Sequence, residues 1–361
     1  MTRARFCLRS SFGLLMIVSS LLSGCRSNPA APATETPVAV TGVYVVNEGN
    51  FMRGNSTLTV YVPDSGKAYQ NVFTAVNGRP LGDTGNDIAY FAGKIYIVVS
   101  GSQKIEVISA TDQKSVGTLM LPGQRNPYRL VIVNDARAYV TNLSDTAVTS
   151  FNPSTLQIIS DRIKVGKNPQ GIAYSNGKIY VCNSGFGYDS TVTVLNATTG
   201  GLIRTIVVGD SPSDIGVGAN NEVFVKCDGR SDWGDPTRDT PGSIVAINSD
   251  NDVIINKAIL PLATYGHSGR MTVGSKGYGF FVSKNGIQQF RFFNSLIEIN
   301  VTLLSPLPAY GLTLDDTGNL LYATDAKDYV QNGDVYVYNL QGAQKAKFQA
   351  GVIPGAIALK R

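Results

Sequence analysis

The feature that most constrains this chain is a phrase it writes repeatedly. Residues 168–185, NPQGIAYSNGKIYVCNSG, read as a short apolar strand, a turn at Ser175-Asn176-Gly177-Lys178, and a second apolar strand ending in small polar residues. The phrase returns as TGNDIAYFAGKIYIVVSGS (84–102), NPYRLVIVNDARAYVTNLS (126–144) and SPSDIGVGANNEVFVKCDG (211–229). Weaker copies are SGRMTVGSKGYGFFVSKNG (268–286) and LPAYGLTLDDTGNLLYATDA (307–326). From Gly85 to Pro127, Pro169 and Pro212 the steps are 42, 42 and 43 residues. That is the period of four-stranded propeller blades.

Each full copy is followed by two further alternating strands, as in TVTVLNATTG and GLIRTIVVG over 191–209, which makes four strands per repeat. No segment holds a 3.6-residue apolar period long enough for a helical hairpin, so helical solenoids are excluded. Composition agrees: 38 Gly, 17 Tyr and 14 Phe in 361 residues, with 43% apolar and 16% charged residues, describe a turn-rich globular β protein. The ends of the chain complete the pattern. GVYVVNEGN (42–50) matches the second strand of the phrase without the first, and IPGAIALKR (353–361) matches the first with nothing after it. The expected fold is therefore all-β: seven four-stranded antiparallel blades, with the C-terminal strand completing the first blade and leaving no open sheet edge.

Residues 1–24 stand apart. Arg3, Arg5 and Arg9 precede an apolar run from Phe12 to Leu22, too short to span a bilayer, which reads as a secretory signal. Leu21-Leu22-Ser23-Gly24-Cys25 resembles the lipobox of bacterial lipoproteins, which implies lipidation at Cys25 and stable attachment to a membrane by several acyl chains. Residues 25–41, with Pro29, Pro32 and Pro37, read as the lipidated cysteine and a tether, and the propeller is expected over 42–361.

Without residues 1–24, which carry three arginines and no acid, the formal charge falls from +5 to +2. No Lys/Arg stripe remains as a nucleic-acid footprint, so that partner is not expected. Cys182 and Cys227 remain in an oxidising compartment, either paired as a disulfide or as two buried thiols.

Over residues 42–361 the chain resembles the YncE-like seven-bladed propellers. The stretches YVVNEGNFMRGNSTLTVYVPDSGK (44–67) and NGRPLGDTGNDIAYFAGKIYIVVSGSQKIEVI (77–108) resemble the BtuG-type surface lipoproteins of Bacteroidetes-type bacteria. That resemblance implies a lipid-anchored outer-membrane protein that captures cobalamin for a TonB-dependent transporter. Surface-exported lipoproteins of that group often carry acids after the lipidated Cys, whereas this chain has Arg26-Ser27-Asn28, which leaves the periplasmic and cell-surface sides both open.

In a propeller, the loops entering the innermost strands and those between the second and third strands share one end, where ligand sites collect. Here they carry Phe51, Arg53, Asp87, Tyr128, Arg129, Phe186, Tyr188, Arg230, Trp233, Arg270, Tyr310 and Tyr329, the expected ligand contacts. Aromatics offer rigid contact area and arginines offer bidentate donors, a mixture suited to a planar or amide-bearing ligand. The fifth repeat is about 14 residues longer than the period, and the excess is placed in the loop around Trp233.

Catalysis has less behind it. The chain contains a single His, His267, which rules out a metal site of several imidazoles. Gly-x-Ser-x-Gly is absent, and GDTGND (82–87) lacks the Gly-Lys-Ser/Thr ending of a phosphate loop. Asp228, Asp232, Asp235 and Asp239 lack the spacing of a calcium loop, as do Asp325, Asp328 and Asp334. An enzyme of the lactonase or quinoprotein type would draw on Glu48, Asp87, Asp214 and Asp325 at the tunnel mouth. The expected function is non-enzymatic capture of a corrinoid or siderophore-like small molecule by a monomer that needs no cofactor. The alternative is a structural or protein-binding propeller.

Overall fold

Apolar residues on both faces of the second and third strands of each repeat require cover on both sides, and seven sheets set radially in a ring provide it. The computed structural model describes residues 41–267 and 269–361; the signal segment, Cys25 and nearly all of the tether lie outside them. Every sheet has four antiparallel strands. The innermost strands are Pro354–Lys360 in blade 1, then Gly85–Phe91, Pro127–Asn134, Pro169–Ser175, Pro212–Val217, Met271–Val273 and Gly311–Asp315 in blades 2 to 7. The second strands are Gly42–Asn47, Lys94–Val99, Arg137–Asn142, Lys178–Asn183, Val223–Cys227, Tyr278–Ser283 and Leu320–Asp325.

Ring closure follows the expectation from the two chain ends. Gly42–Asn47 pairs with Thr57–Val62 on one side and Pro354–Lys360 on the other, with Val45 opposite Ile357. Arg361 beyond that strand forms an ion pair with Asp315 of blade 7, and Lys360 Nζ donates to the Ala110 carbonyl of blade 2 at 2.6 Å.

The core is divided into seven clusters, one in each space between neighbouring blades. Tyr44, Val46 and Leu58 of blade 1 meet Ile95, Ile97 and Ile108 of blade 2, while Val43 and Val45 on the opposite face meet Tyr322, Val335 and Phe348 of blade 7. Outer strands alternate instead: Gln157–Lys164 covers the ring on one face and meets solvent on the other.

Two details differ from the expectation. Short helices occur at Val72–Asn77 and Leu262–Tyr265, each in a connection between blades. The extra length of the fifth repeat is accordingly shared between the 228–241 loop and the 261–270 connection, rather than confined to the loop around Trp233. Cys182 and Cys227 are free, buried thiols within one core cluster. Burial pushes both thiols up, Cys227 to about 11.

Candidate functional site

The register of the innermost strands builds a charged tier on the ring axis. In each strand one apolar residue faces the second strand, as with Ile88 opposite Ile97, Leu130 opposite Val140 and Ile215 opposite Val225. The residue before it falls on the axis, giving Asp87, Arg129, Gly171, Asp214, Arg270 and Gly311 in blades 2 to 7 and Ala356 in blade 1. Around these side chains lies a cavity of about 180 Å³. Gly311 is required here, because a Cβ would run into the Gly355 carbonyl of the neighbouring strand. Above the tier a mouth of about 320 Å³ is lined by Tyr128, Gln170, Ser213, Asp214, Asp228, Gly269, Arg270, Ala309 and Tyr310.

Most charges in this funnel are compensated locally. Arg129 Nη1 lies 3.2 Å from Asp87 Oδ1 and donates to the Asn86 carbonyl at 2.8 Å, while Asp87 Oδ2 accepts from Leu130 N–H at 2.8 Å. Asp214 accepts from Met271 N–H and Ile215 N–H, both at 3.0 Å. Tyr310 donates its hydroxyl to Glu48 Oε2 at 2.9 Å, and Lys226 pairs with Asp228. Burial holds Glu48, Asp87 and Asp214 above the usual carboxylate range despite these donors. Burial opposes the charge of Arg129, but Asp87, Tyr128, Asp214 and Glu48 outweigh it and raise its pKa.

Arg270 differs from the others. Its Nη2 donates to the Tyr128 hydroxyl at 3.1 Å, and its guanidinium lies 5.7 Å from the centre of the Tyr128 ring, which also meets Arg129 at 4.9 Å.

The twelve residues expected from the sequence thus fall into three groups. Asp87, Tyr128, Arg129, Arg270 and Tyr310 line the axial funnel. Phe51, Arg53, Phe186, Tyr188, Trp233 and Tyr329 stand exposed on loops around its mouth, Trp233 at 97%. Loop-to-loop contacts hold this rim to the funnel: Tyr329 packs edge-on against Tyr310 at 5.9 Å, and its carbonyl accepts from Asn50 Nδ2 at 2.8 Å. Arg230 does neither. It lies within the 228–241 loop, donates to the Arg238 carbonyl at 3.1 Å, and packs against Gly187 of the neighbouring blade's loop.

His267 fastens the same region, with Nδ1 3.0 Å from the Asp228 carbonyl and Nε2 3.6 Å from the Asp239 carboxylate. Asp232 and Asp235 close turns by accepting from backbone N–H groups of Gly234 and Thr237, at 3.0 and 3.1 Å. Asp325 likewise caps its own turn through Lys327 N–H at 2.8 Å, leaving Glu48, Asp87 and Asp214 as the acids that converge on the axis. Among the described residues no group of His, Cys, Asp and Glu is placed to hold a metal ion.

Lys226 was not anticipated. Its place in the phrase is taken by Val98, Thr141 and Cys182 in the preceding blades, and a lysine breaking an apolar strand was the signal available. Asp214 occupies the same repeat position as Asp87, so the alignment that selects one selects the other.

A family model described as a domain of unknown function (DUF5074) matches residues 41–292. No curated protein matches the chain in sequence. Among solved structures, a quinoprotein alcohol dehydrogenase-like protein from Bacteroides thetaiotaomicron is similar with a TM-score of 0.67 and 18% identity, covering 89% of this chain and 78% of that one. A functionally unknown protein from Desulfotomaculum acetoxidans gives 0.65 and 17%, covering 88% and 98%. AztD from Citrobacter koseri gives 0.55 and 10%, covering 89% and 98%. At these identities the likeness is one of fold.

Proposed function

The chain belongs to the family described as a domain of unknown function (DUF5074), and from that premise we propose that it is a binding protein that captures a small ligand on the loop-bearing end of its propeller. The observation that carries this reading is the polar axial funnel surrounded by exposed Phe51, Phe186, Tyr188, Trp233 and Tyr329. Exposed aromatics on loops held by a rigid scaffold supply contact area at low entropic cost, and the funnel supplies convergent polar groups. A broad, amide-decorated corrinoid suits such a rim, lying across the aromatics with one polar substituent directed into the funnel; a siderophore-like ligand is the next choice.

In this reading the protein acts without catalysis, as a monomer held to the bacterial outer membrane through Cys25, and delivers its ligand to a TonB-dependent transporter. The resemblance to BtuG-type lipoproteins supports the corrinoid and the transporter.

Thermal unfolding of the full chain tests the ligand. Cyanocobalamin at about 100 times its dissociation constant is expected to stabilise the fold by roughly 2.7 kcal/mol, and the W233A/Y188A variant to lose most of that gain. No shift with cyanocobalamin at high concentration rejects the corrinoid. The exposure of Phe51, Met52, Trp233 and Val330 also favours a second reading, a protein-docking propeller, which a ligand-independent complex abolished by W233A would support.

A further inference from the structure

We infer that the axial mouth is a carboxylate-binding subsite in which Arg270 receives a monocarboxylate group of the ligand, an inference that rests on the loop-bearing end being the binding end. Among the described residues Arg270 makes no ion pair; its polar contact is the single bond to the Tyr128 hydroxyl, which leaves guanidinium donors directed at the mouth. The other cations around the axis differ in this respect, since Arg129 is paired with Asp87 and Lys226 with Asp228.

Ser213 lines the same mouth and supplies a hydroxyl that can donate to a guest there. The Tyr128 hydroxyl accepts from Arg270 and keeps its own proton to donate. One guanidinium and two hydroxyls thus converge on a space of about 320 Å³, enough for one small substituent rather than a whole macrocycle.

The charge of the surroundings selects the anion. Asp214 and Asp228 line the mouth, and Glu48 is bonded to Tyr310 at its edge. These acids are compensated, yet their proximity disfavours a second negative charge on the guest. A planar monoanion matching the guanidinium fork is therefore preferred over a phosphate dianion.

Isothermal titration calorimetry on the full chain, with benzoate, its neutral isostere benzamide, and inorganic phosphate as probes, tests the subsite. Benzoate is expected to bind with single-site stoichiometry, at least roughly tenfold more tightly than benzamide or phosphate, and more weakly as salt rises. R270Q should lower benzoate affinity at least roughly tenfold and R270K should retain part of it, with unchanged circular dichroism. Equal binding of benzoate and benzamide, tighter binding of phosphate, or a folded R270Q that binds benzoate normally would each overturn the assignment. Should R270Q fail to fold, S213A decides: a few-fold loss supports the subsite and no loss rejects it. A cyanocobalamin shift without benzoate binding removes this inference alone, whereas benzoate binding without a cyanocobalamin shift removes the corrinoid and leaves the subsite.

Discussion

Glu48 shows how a single residue at the mouth couples binding chemistry to stability. The residue is 7% exposed, and its carboxyl is held above the usual range by burial, with the Tyr310 hydroxyl and Arg129 opposing. A carboxylate whose folded pKa exceeds its unfolded value holds its proton more firmly in the folded state, so stability falls as pH rises through the window between the two. Glu48→Gln keeps a carbonyl oxygen to accept from Tyr310 while removing the charge. The variant is therefore expected to melt above the wild type at about pH 7, with the difference fading as pH falls below about 4, where the wild-type carboxyl becomes protonated in the unfolded as well as the folded state. Calorimetric melts across that range check it; a constant difference would place the cause in packing rather than ionisation. Asp87 and Asp214 are displaced in the same direction, so the acids of the funnel act together and the difference between the two proteins isolates Glu48. Part of this was visible in the chain: Glu48 falls near the end of the copy of the phrase at 42–50 and was placed among the acids at the tunnel mouth, but only closure of blade 1 beside blade 7 brings it to Tyr310.

At the scale of the strand, the repeated phrase is explained by bonds that run from blade to blade. The third residue of the second strand is Tyr44, Tyr96, Tyr139 and Tyr180 in blades 1 to 4, and each donates its hydroxyl to the outer turn of the next blade. The first three donate to the carbonyls of Ala110, Pro153 and Ala197, at 3.1, 2.9 and 2.9 Å, and Tyr180 to the Asp252 carboxylate at 2.6 Å. Phe224 and Phe280 fill the same position in blades 5 and 6, where a ring packs without that bond. The polar endings have a similar origin: Asn47 and Asn183 reach across to threonine hydroxyls of the third strand, Thr57 and Thr59, Thr191 and Thr193. Periodicity identified these positions as special, but the donor's partner lies 58 residues away for Tyr139, beyond any local pattern. Tyr139→Phe should lower stability by about 1 kcal/mol, read as a lower urea midpoint with an unchanged slope. Tyr322→Phe in blade 7, whose hydroxyl has no hydrogen-bond partner among the described residues, should change the midpoint much less. Equal effects at the two sites would mean the ring packing, not the bond, carries the energy.

For the whole molecule, the decisive element is the last strand, because it turns an open stack of sheets into a ring. The sequence made this closure legible: one end of the chain lacked the strand the other end supplied, and antiparallel pairing of Val45 with Ile357 is the result. Loop placement was less legible, since the number of inserted residues says nothing about how they divide between the 228–241 loop and the 261–270 connection. Removing residues 353–361 would leave Gly42–Asn47 as a bare edge and strip the inner cover from Val43 and Val45, which are 2% and 0% exposed in the closed ring. It would also take away the Arg361–Asp315 pair that ties blade 1 to blade 7. Burial of apolar side chains is worth about 1.5–3 kcal/mol each, so losing Ile357 and Leu359 together with a ladder of backbone bonds equals much of the stability of an ordinary domain. The truncated chain is expected to lose its single cooperative urea transition and to bind a hydrophobic dye, while retaining β-rich circular dichroism from blades 2 to 6. The nonapeptide of residues 353–361 should restore a cooperative transition when added in excess, because its backbone can pair with the exposed edge as a separate strand. A scrambled peptide should not, since its side chains would no longer alternate between the two neighbouring blades. If the truncated chain instead unfolded at the wild-type midpoint, the ring would be held by the contacts between blades alone and the closing strand would be dispensable.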